Sequence, residues 1–428
     1  MVMKIAFIGA QTGDEGKGVR VAYYVKKAVS KIPSQNSSVW TMRWQGGANA
    51  GHTVFCDGLK YALHQVPSGI LIDGTYNIMG EGVFLEPRGI VKEIILLREK
   101  GVRIDNTNFG ISSNAHVTFG YHIEMDSTSS AAMTGHTSTG RGIKPTAVDK
   151  YGRVGVRFEE FLNRDSFIEA LKHRFPLGMP AQFGTYESFV DSYAEDMKVL
   201  APFSVLQSDI LNNSNFKFGF AEGAQGFQLD VDRGLYPGIT SSNPSIVPFR
   251  ANKIIGVVKL YASSVGGGRP FIGRMNEELE TSLRDLWNER GTTTGKPRSI
   301  GWLDIVALKH AIRSCDIDSL VSTCGDRIQD LTKKGEKMRL IFGYKINGKI
   351  FTQWDKSFHR RDVLYNAEPV FEEFDSWDIF FDKEKRELTP KAFAFIERIE
   401  ELTGKKFAAH GYGPGIDDVL EIEDILSE

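Results

Sequence analysis

Cysteine is nearly absent from this 428-residue chain: Cys56, Cys315 and Cys324 are the whole complement, odd in number and without CxxC spacing. That pattern argues against a disulfide scaffold and a cysteine-rich zinc module, and fits a reducing, cytoplasmic setting. Long apolar runs are missing too. None approaches the roughly 18 residues that span a bilayer, so no membrane partner is expected. The opening MVMKIAFIGA is too short to read as a cleavable signal and leads directly into a glycine loop. Nor does charge of one sign dominate: a net charge of −2 leaves no basic footprint for nucleic acid. Internal repeats, low-complexity tracts and long linkers are likewise lacking.

What is there is an ordinary globular composition, 41% apolar and 25% charged, in a chain long enough to bury a large core. KIAFIG reads as a buried strand, followed by a glycine turn and a helix over 19–29, the opening of an open α/β sheet. Further strands are expected at VWTMRW, YNIMG, FKFGFAE, KIIGVVKLYA, LVSTC and MRLIFGYKI. Helices are expected at GIVKEIILLREKG, WLDIVALKHAIRSC and KAFAFIERIEELTG, the last stopped by Gly404. The polar SKIPSQNSS reads as a surface excursion and HRRD at 359–362 as a solvated loop. The glycine-rich turns fall between elements, which favours one large α/β domain over residues 1–428, built on a mostly parallel sheet.

Four stretches carry chemistry. GAQTGDEGKG resembles a phosphate-binding loop but breaks its rule, with Gln11 at the first glycine position and Gly18 where a metal-binding hydroxyl belongs. A glycine turn at a helix start still offers amides and a positive dipole end to an anion, and Lys17 adds a point charge. An acid beside phosphates must bind Mg²⁺, take a proton or be repelled, which makes Asp14 the candidate for metal and base. RWQGGANAGHT lets the backbone approach a ligand and points Asn49 and His52 at one pocket. The run 220–243, FAEGAQGFQLDVDRGLYPGITSSN, suits a ligand rim. GTTTGKPRSIGWLD at 291–304 combines threonines with Lys296 and Arg298, the donors a small carboxylate needs.

GDEGKG, NAGHT, STGRGI, EGAQG, TSSN, TTTG and GWLD, in this order, resemble the adenylosuccinate synthetase family from residue 4 to about 420. The resemblance implies a homodimeric α/β enzyme that condenses IMP with L-aspartate, using GTP and Mg²⁺, through a 6-phosphoryl intermediate. Asp14 then corresponds to the base that removes the purine N1 proton and, with the Gly51 carbonyl, holds Mg²⁺. His52 corresponds to the acid that stabilises charge on O6. Gly13, Glu15, Gly16, Lys17 and Gly18, with Gly51, His52 and Thr53, would wrap the GTP phosphates. The purine nucleotide falls to Asp14 through Lys17, Asn49, Ala50, Gly51, His52, Thr139, Gln225, Thr240 and Lys296, with Arg153 supplied by the neighbouring subunit. Thr292, Thr293, Thr294, Gly295, Lys296 and Arg298 would bind aspartate. Arg298 also reaches the triphosphate, and Cys324, Gly325, Asp326, Gly411, Tyr412 and Gly413 surround its base.

Departures from the family pattern keep the acceptor open. Thr12 stands for a tryptophan, Val19 for a lysine, Ala22 for an aspartate and Ala48 for a histidine. Lys296 and Ser299 interrupt an arginine run, Cys324 replaces a lysine, and Ser264 and the stretch 271–274 also differ. Lysine at 296 keeps charge but loses the planar fork. A GMP or dGMP acceptor, with ATP as donor, is therefore the alternative, as in a phage branch of the family. A non-catalytic nucleotide-binding paralogue is a third. Retention of Asp14 and Asp326 favours base chemistry on IMP with a guanine donor.

Overall fold

The computed structural model describes residues 2–32, 38–133, 139–264, 270–291 and 295–427. Its centre is a sheet in which β1 (Met3–Gly9) lies between the strands Lys253–Lys259 and Phe218–Glu222. Outward on one side follow Ser319–Thr323, Phe407–Gly411 and Val419–Glu421. On the other follow β2 (Val39–Gly47), Thr75–Leu85, Phe109–Ser112 and Ser204–Val205. Every neighbour on this path pairs in parallel except the edge strand Val419–Glu421. Parallel strands are covered on both faces, which is why Ile5 to Ile8 form an unbroken apolar run with 0–1% exposure.

Helix α1 (Lys17–Ser30) begins two residues before the sequence-based expectation and takes Lys17 and Gly18 into its first turn. It packs Val21, Tyr24, Val25 and Ala28 against β1 and the strands Lys253–Lys259 and Ser319–Thr323. β2 likewise runs on past VWTMRW through Gln45 to Gly47. The strand expected as KIIGVVKLYA ends at Lys259, and Leu303–Asp304 is a short strand whose aspartate caps the helix Ile305–Ser314. Gly404, at φ 68°, stops the helix Pro390–Thr403 as expected. His359 to Asp362 are exposed, yet the helix Arg361–Tyr365 starts within them. Most of the excursion at 30–38, residues 33–37, lies outside the described residues.

Two features went unread in the sequence. A hairpin of β3 (His52–Cys56) and β4 (Leu59–Leu63) follows β2 and sets His52 at its first position. A run of short helices over 143–211 packs Phe158, Phe161, Phe167 and Tyr193, together with Phe119, onto the sheet's far flank. Among the described residues, no helix is long and apolar enough to cross a membrane.

Candidate active site

The glycine loop between β1 and α1 folds around its own acid. Gly13, Asp14 and Gly16 all have positive φ, at 93°, 59° and 85°. This turns the fully buried Glu15 inward, where its Oε1 accepts the amides of Gln11 (3.2 Å) and Gly13 (2.8 Å). Its Oε2 pairs with Lys17 Nζ at 2.6 Å, and Lys17 also donates to the Gln225 carbonyl. Glu15 and Lys17 are therefore the loop's internal brace, both almost without solvent contact. A Cβ on Gly9 would lie 2.3 Å from Glu15 Oε2, so only glycine fits there. Among the described residues no side chain caps the start of α1 at Gly16, and a helix end of this kind is suited to an anion.

Gly18 explains the broken phosphate-loop pattern. A Cβ there would meet Ser68 Oγ at 2.5 Å and His52 Nδ1 at 2.9 Å. The space of the usual hydroxyl is filled by Ser68 and His52. His52 Nδ1 donates to Glu222 Oε1. The same carboxylate accepts Arg43 Nη2 (3.0 Å), Ser68 Oγ (3.0 Å) and the Ser68 amide (2.7 Å). Burial, with help from Arg43, pushes His52 down to about 4 against the pull of Glu222. Burial alone would raise Glu222, but His52 and Arg43 outweigh it and hold the acid at about 2. Both shifts describe one state: neutral imidazole, Nδ1 protonated, facing a carboxylate.

Asp14 is exposed and turns away from this brace; its Oδ2 pairs with Arg298 Nη2 at 2.5 Å. Arg298 is buried and places Nη1 on Glu289 Oε2 at 2.8 Å. Asp14 and Arg298, far apart in sequence, thus meet in one ion pair. Among the described residues no group of three or more His, Cys, Asp or Glu forms a metal cage. A single outward carboxylate suits Mg²⁺, which is commonly held by one or two carboxylates together with substrate phosphates and water.

The remaining candidates are distributed around this centre. Gln225 sits at φ 54° in the turn after the strand Phe218–Glu222, where a Cβ on the next residue, Gly226, would lie 2.5 Å from Gly13 N. The Thr240 amide donates to the Leu229 carbonyl at 2.7 Å, and the neighbouring Ser242 reaches Gln45 Oε1 at 2.8 Å. Ala50 is buried, its carbonyl 2.9 Å from His64 Nδ1, while Asn49, Gly51 and Thr53 are half-buried. Thr139 is half-buried; Arg153 is exposed at φ 62° after the helix Ile143–Tyr151, beside the exposed Tyr151 and near the exposed Val148. Gly295 and Lys296 are exposed, and Thr292, Thr293 and Thr294 lie outside the described residues.

On the donor side, Thr323 Oγ1 donates to the Glu15 carbonyl at 2.7 Å and ties the Cys324–Asp326 turn to the phosphate loop. Cys324 has φ 61°, Trp377 Nε1 donates to the Gly325 carbonyl at 2.8 Å, and burial raises Asp326. Tyr412, between Gly411 and Gly413, stacks on Phe381 with centroids 4.4 Å apart. Sequence reading missed Glu222, Lys259, Glu289 and Arg327. The signal for two of them was a charge inside an apolar strand: Glu222 closes FKFGFAE and Lys259 lies in KIIGVVKLYA.

An open, mostly parallel sheet with a phosphate-type loop at its strand ends defines an α/β nucleotide-dependent enzyme. The adenylosuccinate synthetase family model matches residues 6–420. Adenylosuccinate synthetase of Caldanaerobacter subterraneus subsp. tengcongensis is 36% identical, over 97% of this chain and 98% of that protein. The enzyme of Streptococcus sanguinis is 33% identical, over 99% of each. The chain belongs to the adenylosuccinate synthetase family and is a carbon–nitrogen-bond-forming ligase. Among solved structures, fully ligated adenylosuccinate synthetase from Plasmodium falciparum superposes with a TM-score of 0.82 at 27% identity, covering 98% of this chain and 99% of that one. The cyanophage S-2L succinoaminodeoxyadenylate synthetase, bound to dGMP and dATP, shares the fold, with a TM-score of 0.58 at 16% identity over 98% and 95%.

Proposed function

We propose that the chain joins IMP to L-aspartate with GTP as phosphoryl donor, giving adenylosuccinate, GDP and phosphate. The observation that carries this reading is one glycine loop that turns Asp14 outward and packs its Gly18 against a carboxylate-held His52. Asp14 removes the N1 proton of the 6-oxopurine, so that O6 attacks the γ-phosphate. For this it leaves Arg298, whose guanidinium is then released to the triphosphate. His52 starts neutral; phosphates bound beside it raise its proton affinity, and the protonated ring, steered by Glu222, stabilises charge on O6. Mg²⁺ would be held by the Asp14 carboxylate and the Gly51 carbonyl with the donor phosphates, and supplies positive charge there. Lys296, Arg298 and the threonines at 292–294 bind the aspartate, whose amine displaces the O6 phosphoryl group.

Asn49, Thr139, Gln225 and Thr240 hold the acceptor nucleotide. The exposed Arg153 serves the acceptor phosphate of a partner subunit in a homodimer. The half-buried Asp326 accepts from guanine N1 and N2, which selects GTP over ATP. Three free cysteines agree with a cytoplasmic setting. The second reading is GMP or dGMP as acceptor with ATP as donor, and Lys296 in place of the bidentate arginine is what favours it.

A matrix of four acceptors (IMP, dIMP, GMP, dGMP) and two donors, with product mass as readout, tests both. The first reading expects the IMP–GTP pair to dominate. Dominance of dGMP with ATP would replace it with the second, and no product in any cell would sink both.

A further inference from the structure

Glu289 is fully buried just beyond the helix Glu277–Leu286, and four donors converge on its carboxylate. They are Lys259 Nζ (2.7 Å), the Tyr261 hydroxyl, Arg298 Nη1 (2.8 Å) and Arg327 Nη1 (2.8 Å). Three cations thus gather around Glu289, and even with Asp14 counted on Arg298 one positive charge is left over. Lys259 spends its remaining reach on Ser263 Oγ (2.7 Å), and Arg298 turns Nη2 to Asp14. Arg327 commits Nη1 to Glu289 and Tyr261 and keeps 31% of its side chain exposed.

Its position follows the path a donor nucleotide must take. The γ-phosphate end lies at the loop carrying Asp14, and the base end lies at Asp326. Thr323 pins the start of the intervening turn to the phosphate loop. Arg327 follows Asp326 directly and folds back towards Arg298 through the shared Glu289. Two guanidiniums therefore hang from one carboxylate between the ends of that path.

We propose that Arg327 binds the α- and β-phosphates of the donor nucleoside triphosphate, with Glu289 as the positioning residue for Arg327 and Arg298 together. The proposal rests on the donor site assigned under the proposed function. A guanidinium presents a planar fork to phosphate oxygens, and Glu289 removes the entropy cost of aiming it.

The test measures GDP, GTP and IMP affinities of the full chain with Mg²⁺ by calorimetry, for the parent, Arg327→Gln and Arg327→Lys. Arg327→Gln should weaken GDP and GTP alike by about 10- to 100-fold and leave IMP within twofold. Arg327→Lys, which keeps charge facing Glu289, should recover part of that loss. Should Arg327→Gln unfold, Arg327→Lys carries the test with an expected weakening of about three- to tenfold. Parent-like GDP affinity in the folded variants overturns the proposal, as does a loss confined to GTP or shared equally with IMP. Binding is read without turnover, so a parent chain that binds GDP but makes no adenylosuccinate would refute the proposed reaction and leave this assignment standing.

Discussion

Gly18 and His52 compete for one space: a Cβ at position 18 would stand 2.9 Å from His52 Nδ1. The missing hydroxyl of the glycine loop is thus the condition for a histidine packed against it. Gly18→Ser should displace His52 or Ser68, costing about 1–3 kcal/mol of stability and at least about 100-fold in turnover. Urea titration and steady-state assay of the same preparation check this. A serine variant with parent kinetics would show that His52 needs no such space.

Glu222 holds His52 and balances Arg43 in a buried setting. Glu222→Gln leaves Arg43 without its counter-charge, a loss of about 3–5 kcal/mol. Glu222 also raises the proton affinity of His52. If protonated His52 is the working form, activity falls as pH rises through its pKa in the complex. Removing Glu222 moves that alkaline limb to lower pH. An unmoved limb would separate Glu222 from the chemistry and leave it a structural anchor.

Lys17 carries a different expectation from that of an ordinary phosphate-loop lysine, because its ammonium is bonded to Glu15 and the Gln225 carbonyl. Lys17→Met strands a buried carboxylate, so the chain should lose about 3–5 kcal/mol whether or not nucleotide is present. A chain that melts like the parent would show that Glu15 finds another partner.

Stability should depend on pH through buried and half-buried imidazoles. Burial pushes His52, His116, His310 and His410 each to about 4. Below the ordinary value near 6.5 the unfolded chain binds protons that the folded chain refuses. Their contribution is complete above pH about 6.5 and is lost as pH falls towards about 4. Urea midpoints at pH 7.5, 5.5 and 4.5 should be highest at the first and fall at each step; a midpoint constant to pH 4.5 would contradict the burial of these rings.

Much of this was legible in the sequence because glycine positions and apolar runs are local signals. β1, α1 and the Gly404 stop follow from them, as does the pairing of a phosphate loop with NAGHT. What stayed hidden depends on contacts between distant segments. Nothing in the sequence around Glu15 shows that its carboxylate folds onto the Gln11 and Gly13 amides. Glu222 and Glu289 bond residues scattered along the chain, and no spacing rule gathers Arg43, His52 and Ser68 on one acid. The hairpin carrying His52 was missed because a glycine-rich ligand loop masks the alternation of the strand that follows it.

In the proposed reaction Asp14 frees O6 to attack the donor's γ-phosphate. IMP labelled with ¹⁸O at position 6, turned over with GTP and L-aspartate, tests it by mass spectrometry of the released phosphate. The label should leave the purine and appear in phosphate in the parent chain and not in Asp14→Ala, which should still bind GTP. Product formed without ¹⁸O in phosphate, or label transfer undiminished in Asp14→Ala, would contradict it.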